Sequence, residues 1–276
     1  MTVNFDLNYT AAPMVNQSDT PFRALVHNHG ATLTYTEMLK PARLLSDPDY
    51  LAFHRRALEL GRSSSTGPVI VQVCGNDQEV IVRGAKTVVD LCDGIGMCGL
   101  ANPQRSLMHF PLRSDTDLNL GCPQDVAREE HFGAYLLGKK DWPLVQDIGE
   151  QKPPGVYLKK KVRCLISHTV SSLSRSLCVP VSAKLRLCSP VSSTLTLASS
   201  LQASGASFLA LHARHPSARR RRQGAADLSA VKTLVEGVDI PVISNGNVRT
   251  WDDVLHNKDY TGASGIMVGE TLLENP

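Results

Sequence analysis

The feature that most constrains this chain is a rhythm, in which short β-rich runs alternate with stretches of helical period from end to end. Thr10–Val15, Thr32–Leu39, Pro68–Val73, Asp117–Gly121, Pro180–Leu187, Phe208–His212, Pro241–Gly246 and Gly265–Gly269 read as strands. Between them Phe22–His29, Tyr50–Leu60, Glu79–Leu91, Thr194–Ala203, Leu228–Val235 and Trp251–His256 place apolar residues at i and i+3/i+4, the spacing of one helix face. Asp227 and Thr250 are suited to cap the last two helices. Gly30, Gly205 and Gly262 stand where the helices before strands two, six and eight should close. Eight β-then-α units in 276 residues predict a (β/α)8 TIM barrel, one catalytic domain running from residue 1 to 276. An open doubly wound sheet alternates in the same way. The residues after the first strand, AAPMVNQSD, lack the G-x-G-x-x-G of such a sheet, so the barrel is preferred.

Two stretches break the rhythm. Gly96–Thr116 and Gly149–Thr169 mix Pro, Gly and basic residues without a period. Loops of that length are uncommon inside a compact domain, and both are expected to be insertions, with retained intron sequence as one source. The first would leave Asp117–Gly121 to form the fourth strand alone, and a helical tail over Val170–Leu177 should follow the second. The chain stops at LLENP, one turn into the expected last barrel helix, which predicts an uncovered flank beside strands eight and one.

Composition removes several classes. A net charge of +3, from 29 basic and 26 acidic residues, is too small to mark a nucleic-acid binder by itself. No apolar run reaches the ~18–20 residues of a membrane span. The N-terminus, MTVNFDLNYTAAPMV, lacks a basic segment followed by an apolar one, so export is not expected and the cytoplasm or nucleus is. Cys74, Cys92, Cys98, Cys122, Cys164, Cys178 and Cys188 form no C-x-x-C pair and no zinc-like spacing, so reduced thiols and no metal are expected.

Chemistry concentrates at the carboxyl ends of the predicted strands, where barrel active sites are built. Gln72 interrupts the apolar run PVIVQVCG, and a buried amide needs partners. Lys184 and Arg186 lie two apart on strand five and so share a side. A lysine aimed into a barrel is costly unless an anionic or electron-rich group meets it. Strand six ends LHARH, with His212, Arg214 and His215; strand seven ends SNGNV, and strand eight VGET. Gly246 and Gly269 let backbone N–H groups approach a phosphate closely. An Asn-Gly pair alone is ordinarily a turn, and a lone histidine ordinarily a satisfied or exposed side chain. Together at strand tips, these residues describe a flavin mononucleotide cradle. Cys122, just past the strand in DLNLGCPQ, offers a thiol that can protonate a carbanion or attack an electrophile, although a structural cysteine fits as well. Arg219–Arg222 form a run that is either a solvated patch or a contact for a polyanion.

These residues resemble the tRNA-dihydrouridine synthases, of the eukaryotic, FMN-dependent type. The likeness is carried by APMV (Ala12–Val15), SDTPFRALVHNHGA, YTEML, VQVCGND, DLNLGCPQ with FGAYLL downstream, VSAKLRL, LHARH with RRQGAAD, PVISNGNV and GIMVGETLLENP. LNLGCPQ together with SNGNV is the most specific part. The resemblance implies FMN at the barrel mouth, NADPH as reductant and tRNA as substrate, and the chain is expected to act as a monomer away from any membrane. Pro13, Met14 and Val15 would pass along the flavin, and Gln72 and Lys184 would meet its polar edge. His212, Asn245, Gly246, Asn247, Gly269 and Glu270 would line the ribityl-phosphate side. Cys122 matches the family's catalytic cysteine and would give a proton to C5 of uracil after hydride reaches C6. Arg186, Arg214 and Arg219, Arg220, Arg221 and Arg222 are placed to meet the RNA. Glu270 stands where many relatives carry Arg, and the family's C-terminal helical domain has no counterpart in this sequence. Two other readings remain open at this level: another FMN barrel acting on a small pyrimidine, and an RNA-binding remnant with impaired catalysis.

Overall fold

The structure, a computed structural model, describes residues 3–63, 66–75, 77–98, 167–215, 218 and 224–276. Its strands are β1 (Tyr9–Ala11), β2 (Thr34–Leu39), β3 (Val69–Val73), β4 (Gly94–Cys98), β5 (Val181–Arg186), β6 (Phe208–His212), β7 (Val242–Asn245) and β8 (Gly265–Val268). Between them lie α1 (Thr20–Asn28), α2 (Pro41–Ser46), α3 (Pro48–Ser63), α4 (Gln78–Lys86), the helical residues 167–176 as α5, then α6 (Ser193–Ala203), α7 (Leu228–Gly237) and α8 (Trp251–Thr261). All neighbouring strands pair in parallel, in the order β1-β8-β7-β6-β5-β4-β3-β2. A parallel bridge between Thr10 and Leu33 joins β1 to the start of β2 and closes the cylinder. This is the (β/α)8 architecture.

The period-2 alternation of a strand explains how the chain fills both sides of this sheet. Outward residues such as Val69, Val71 and Val73, Ile95 and Met97, Val181, Ala183 and Leu185, and Leu209 and Leu211 share one apolar cluster with Leu58, Ile81, Leu173, Leu201 and Leu234 of the helices. Inward residues Leu33, Tyr35, Ile70, Phe208, Ala210, Ile243 and Met267 form a second cluster inside the barrel. The Tyr35 hydroxyl lies 3.4 Å from Ser182 Oγ, a hydrogen bond across the interior from β2 to β5. Burial pushes the Tyr35 phenol well above its ordinary range, so it stays protonated and hydrogen-bonded.

The fourth strand corrects the sequence-based expectation. Gly94–Cys98 pairs with β3 on one side and β5 on the other, so it occupies the position assigned to Asp117–Gly121, which lies outside the described residues. The irregular stretch therefore starts no earlier than residue 99, because residues 96–98 are strand. The physical reason is room. A Cβ on Gly96 would come within 2.9 Å of both Ile70 Cγ2 and Tyr35 Cε1, and one on Gly94 within 2.7 Å of Ile70 Cδ1. The inward positions of this strand must be empty for the large interior side chains to fit, and G-I-G-M-C carries no apolar alternation to announce it.

Other boundaries shift by a few residues. β1 ends at Ala11, leaving Pro13–Val15 beyond the strand. The helix expected over Glu79–Leu91 stops at Lys86 and resumes as a 3-10 turn, Val89–Leu91. The expected caps are present: Asp227 accepts from the Ala230 N–H, and Thr250 forms a reciprocal capping box with Asp253. Gly262 closes α8 in the left-handed conformation, at φ 66°. After β8 comes a four-residue 3-10 turn, Glu270–Leu273, rather than the start of an α-helix. Among the described residues no helix is long and apolar enough to cross a membrane, and no cluster of three or more His, Cys, Asp or Glu could hold a metal ion.

Candidate active site

Inside the barrel the side chains change character along the strands. The apolar floor made by Tyr35, Ile70, Phe208 and Ile243 gives way, one or two inward positions further on, to Gln72, Lys184, His212 and Asn245. Register sets His212 beside Asn245 on one side and Arg186 on the other, while Lys184 pairs with Ala210, one inward position before His212. The structure thus brings the predicted β3, β5, β6 and β7 residues to one end of one cylinder.

Gln72 is 3% exposed, and its backbone N–H donates to Thr36 Oγ1 at 3.0 Å. Its side-chain Nε2 is buried without a hydrogen-bond partner among the described residues. Leaving such a donor unmet costs about 1–3 kcal/mol. A ligand atom that accepts a hydrogen bond would remove that cost.

Across the mouth, the His212 imidazole is pushed down from 6.5 to about 2, first by burial and then by Lys184, Arg186 and Arg214. It is therefore neutral, with one donor and one acceptor nitrogen. Beside it Gly246 adopts φ 127°, and a Cβ there would sit 2.7 Å from Ala226 Cβ and 3.7 Å from His212 Cδ2. Only glycine fits this turn, which leaves its backbone bare next to the histidine ring. Asn245, 8% exposed, donates from Nδ2 to Met267 O at 2.8 Å and ties β7 to β8. Asn247, at φ 61°, spends its side chain on Ala226: Oδ1 accepts from Ala226 N at 2.7 Å, and Nδ2 donates to Ala226 O at 2.8 Å.

The predicted RNA contacts Arg186 and Arg214 are both bonded to loops at the mouth, Arg186 to the β6–α7 connection and Arg214 to the turn after β7. Arg186 Nη1 donates to His215 O at 3.0 Å and to Ala218 O at 2.9 Å, and Arg214 Nη2 donates to Asn247 Oδ1 at 3.3 Å. Arg219–Arg222 and Cys122 lie outside the described residues.

Pro13, Met14 and Val15 are half-buried, in a turn beyond β1. Sequence reasoning missed what shapes that turn. Ser18, 1% exposed, accepts from Met14 N at 2.9 Å and donates to Ala12 O at 3.2 Å. The buried Arg23 guanidinium holds Ser18 O at 2.8 Å, and Glu37 accepts from Asn16 N at 3.2 Å. A serine and an arginine on a short loop and helix carry no mark in the sequence that separates them from surface residues. Met14 reaches Gly269, where a Cβ would stand 3.7 Å from Met14 Sδ and 3.5 Å from Ala12 Cβ. Those are ordinary contacts, so Gly269 is not sterically compelled as Gly246 is. Glu270 is exposed at the start of the short 3-10 turn.

Known proteins share this architecture and, in part, this sequence. FabK from Thermotoga maritima superposes with a TM-score of 0.51 at 10% identity, covering 98% of this chain and 63% of that one. A nitroalkane oxidase from Streptomyces ansochromogenes gives 0.50 at 13% identity, covering 98% and 66%. At such identities these structures speak for the fold alone. A tRNA-dihydrouridine(16/17) synthase-like protein of Mus musculus is 32% identical over 268 residues, which are 97% of this chain and 46% of that protein. The tRNA-dihydrouridine(16/17) synthase of Saccharomyces cerevisiae is 29% identical over 267 residues, 96% of this chain and 52% of its own length. Both names also carry NAD(P)(+). The chain spans about half the length of these two curated relatives. The dihydrouridine synthase (Dus) family profile matches residues 10–99 and 150–276, passing over the segment that contains Cys122. With most of its residues matched in this way, the chain belongs to the dihydrouridine synthase family.

Proposed function

We propose that this protein reduces uridines of tRNA to 5,6-dihydrouridine, using FMN held at the carboxyl end of the barrel and NADPH as reductant. The observation that carries the reading is the unmet amide of Gln72 in the polar ring above an apolar floor, in a chain of this family. The residues present fit FMN. Gln72 would donate to an acceptor on the ring edge, and Lys184 would place positive charge against the same electron-rich edge. Neutral His212 would give one hydrogen bond without adding charge, and the bare Gly246 backbone would face the phosphate end with Asn245, Asn247 and Gly269 nearby. The Glu270 carboxylate repels a phosphate, so backbone N–H groups would carry that contact. Pro13, Met14 and Val15 would cover a flank.

FMN, when bound, supplies the hydride that reaches C6 of uracil. The chain's own part is to hold the base and to deliver a proton. Cys122, assigned from sequence, would give its thiol proton to C5. A thiol near its free pKa of about 8.5 is mostly protonated at neutral pH, which suits an acid. The uridine must leave its stack to reach the site, so the tRNA would bind with that base extruded. Arg219–Arg222 would meet phosphates around it, while Arg186 and Arg214 would brace the connection that bears them.

The test is mass spectrometry of tRNA digests after incubation with the protein, FMN and NADPH, with dihydrouridine as the expected product. Cys122→Ala should abolish the product and leave the protein yellow; normal turnover by that variant would remove the cysteine from the mechanism. A folded protein that stays colourless in excess FMN would overturn the cofactor assignment.

A further inference from the structure

The Gly246 turn has no regular secondary structure to hold it, yet it places two consecutive residues at positive φ, 127° and 61°. Its rigidity must come from outside, and two asparagine side chains supply it. From the helix side, Asn257 of α8 is 1% exposed and donates from Nδ2 to the Gly246 carbonyl at 3.1 Å. From the loop side, Asn247 grips both the N–H and the C=O of Ala226, whose Cβ lies against the face of Gly246 where a side chain would be. The cost at Asn257 shows what the bond is for. Its Oδ1 is buried with no hydrogen-bond partner among the described residues, so the amide is retained at a position where half of it is unsatisfied. An apolar side chain would avoid that cost, but only a donor can hold the Gly246 carbonyl.

We propose that Asn257 and Asn247 are positioning residues that fix the Gly246 turn to receive a phosphate monoester, the phosphate end of the flavin. This deepens the function proposed above and rests on it. Asn257 is far along α8 in sequence and touches the ligand only through Gly246. Asn247, read from sequence as a ligand contact, works through Ala226 instead. With the Gly246 carbonyl and Ala226 both pinned, the turn's backbone is held in one conformation beside His212.

The experiment compares FMN with riboflavin, which is the same ring and ribityl chain without the phosphate. Dissociation constants are measured by quenching of flavin fluorescence for the wild-type protein, Asn257→Ala and Asn247→Gly. The glycine at 247 keeps the positive φ while removing the clamp on Ala226 and the acceptor for Arg214 Nη2. Loss of one positioning hydrogen bond should weaken FMN about tenfold. Riboflavin should be nearly unaffected, so the preference for FMN should collapse. Equal weakening of both flavins would make the asparagines merely structural and overturn the inference, as would no change in either. Should Asn257→Ala fail to fold, Asn247→Gly carries the same prediction. A wild-type protein that binds riboflavin as tightly as FMN would refute the phosphate site and leave the flavin reading standing; one that binds neither would sink both.

Discussion

The two walls of the barrel mouth are built on opposite principles. On the β5–β7 wall most side-chain donors are spent on the scaffold: Arg186 on His215 O and Ala218 O, Asn245 on Met267 O, Asn247 on Ala226 O, and Asn257 on Gly246 O, although Ser244 Oγ and Asn257 Oδ1 stay buried without a partner among the described residues. On the β3 wall, Gln72 ends in a buried Nε2 that bonds to nothing among the described residues. A satisfied network rigidifies, whereas an unmet donor is a standing cost that a ligand can relieve. The contrast separates the part of the site that is prebuilt from the part that awaits an occupant.

The comparison breaks first at Gly246. Gly246→Ala forces a side chain into a positive-φ turn, at about 1–2 kcal/mol for the backbone, and drives it against Ala226, at about 1–3 kcal/mol for overpacking. Urea unfolding of the flavin-free protein should show the summed loss, and an unchanged midpoint would mean the rigid wall is not rigid. Gln72→Leu should act with the opposite sign. Removing the unmet amide should raise flavin-free stability by about 1 kcal/mol while weakening flavin uptake; a less stable variant would show that the amide is satisfied in solution.

A further effect concerns acid. His212 is held neutral in the fold, pushed from 6.5 to about 2, so below its ordinary value the unfolded chain binds a proton that the fold refuses. That contribution is complete above about pH 6.5 and is lost progressively as the pH falls toward 2. His212→Asn should therefore lose less melting temperature than the wild type between about pH 7 and about pH 5. Parallel losses would place the histidine outside the coupled cationic wall.

How much of this was legible in the chain depends on whether a residue's role is local. The alternation of Val, Ile and Leu runs with helical spacing announced the barrel, because period is a local property. Gln72, Lys184, His212 and Asn245 were legible because each breaks or ends an apolar strand, and the structure places all four toward the carboxyl ends of their strands. Gly94 and Gly96 were not read as strand, because their purpose is to leave space for Tyr35 and Ile70, far away in sequence. Asn257 was silent for the same reason, since it acts on a backbone carbonyl that only the folded chain brings near. Ser18 and Arg23 act locally, five or six residues along the chain, on a short turn that has no period to mark it. Asn247 follows Gly246 at the end of β7, as its place in the sequence implies, and its side chain grips Ala226.

The closure between β1 and β2 has a consequence of its own. Every other pair of neighbouring strands shares a ladder of at least three register partners, whereas this one meets at the single bridge of Thr10 and Leu33. A hoop with one thin weld flexes at the weld, so the amides of Ala11 and Leu33 should be the first strand protons to exchange with deuterated solvent. Pro13–Val15 hang directly from that weld, so the side of the mouth where the flat ring of a cofactor would lie rests on the thinnest seam of the cylinder.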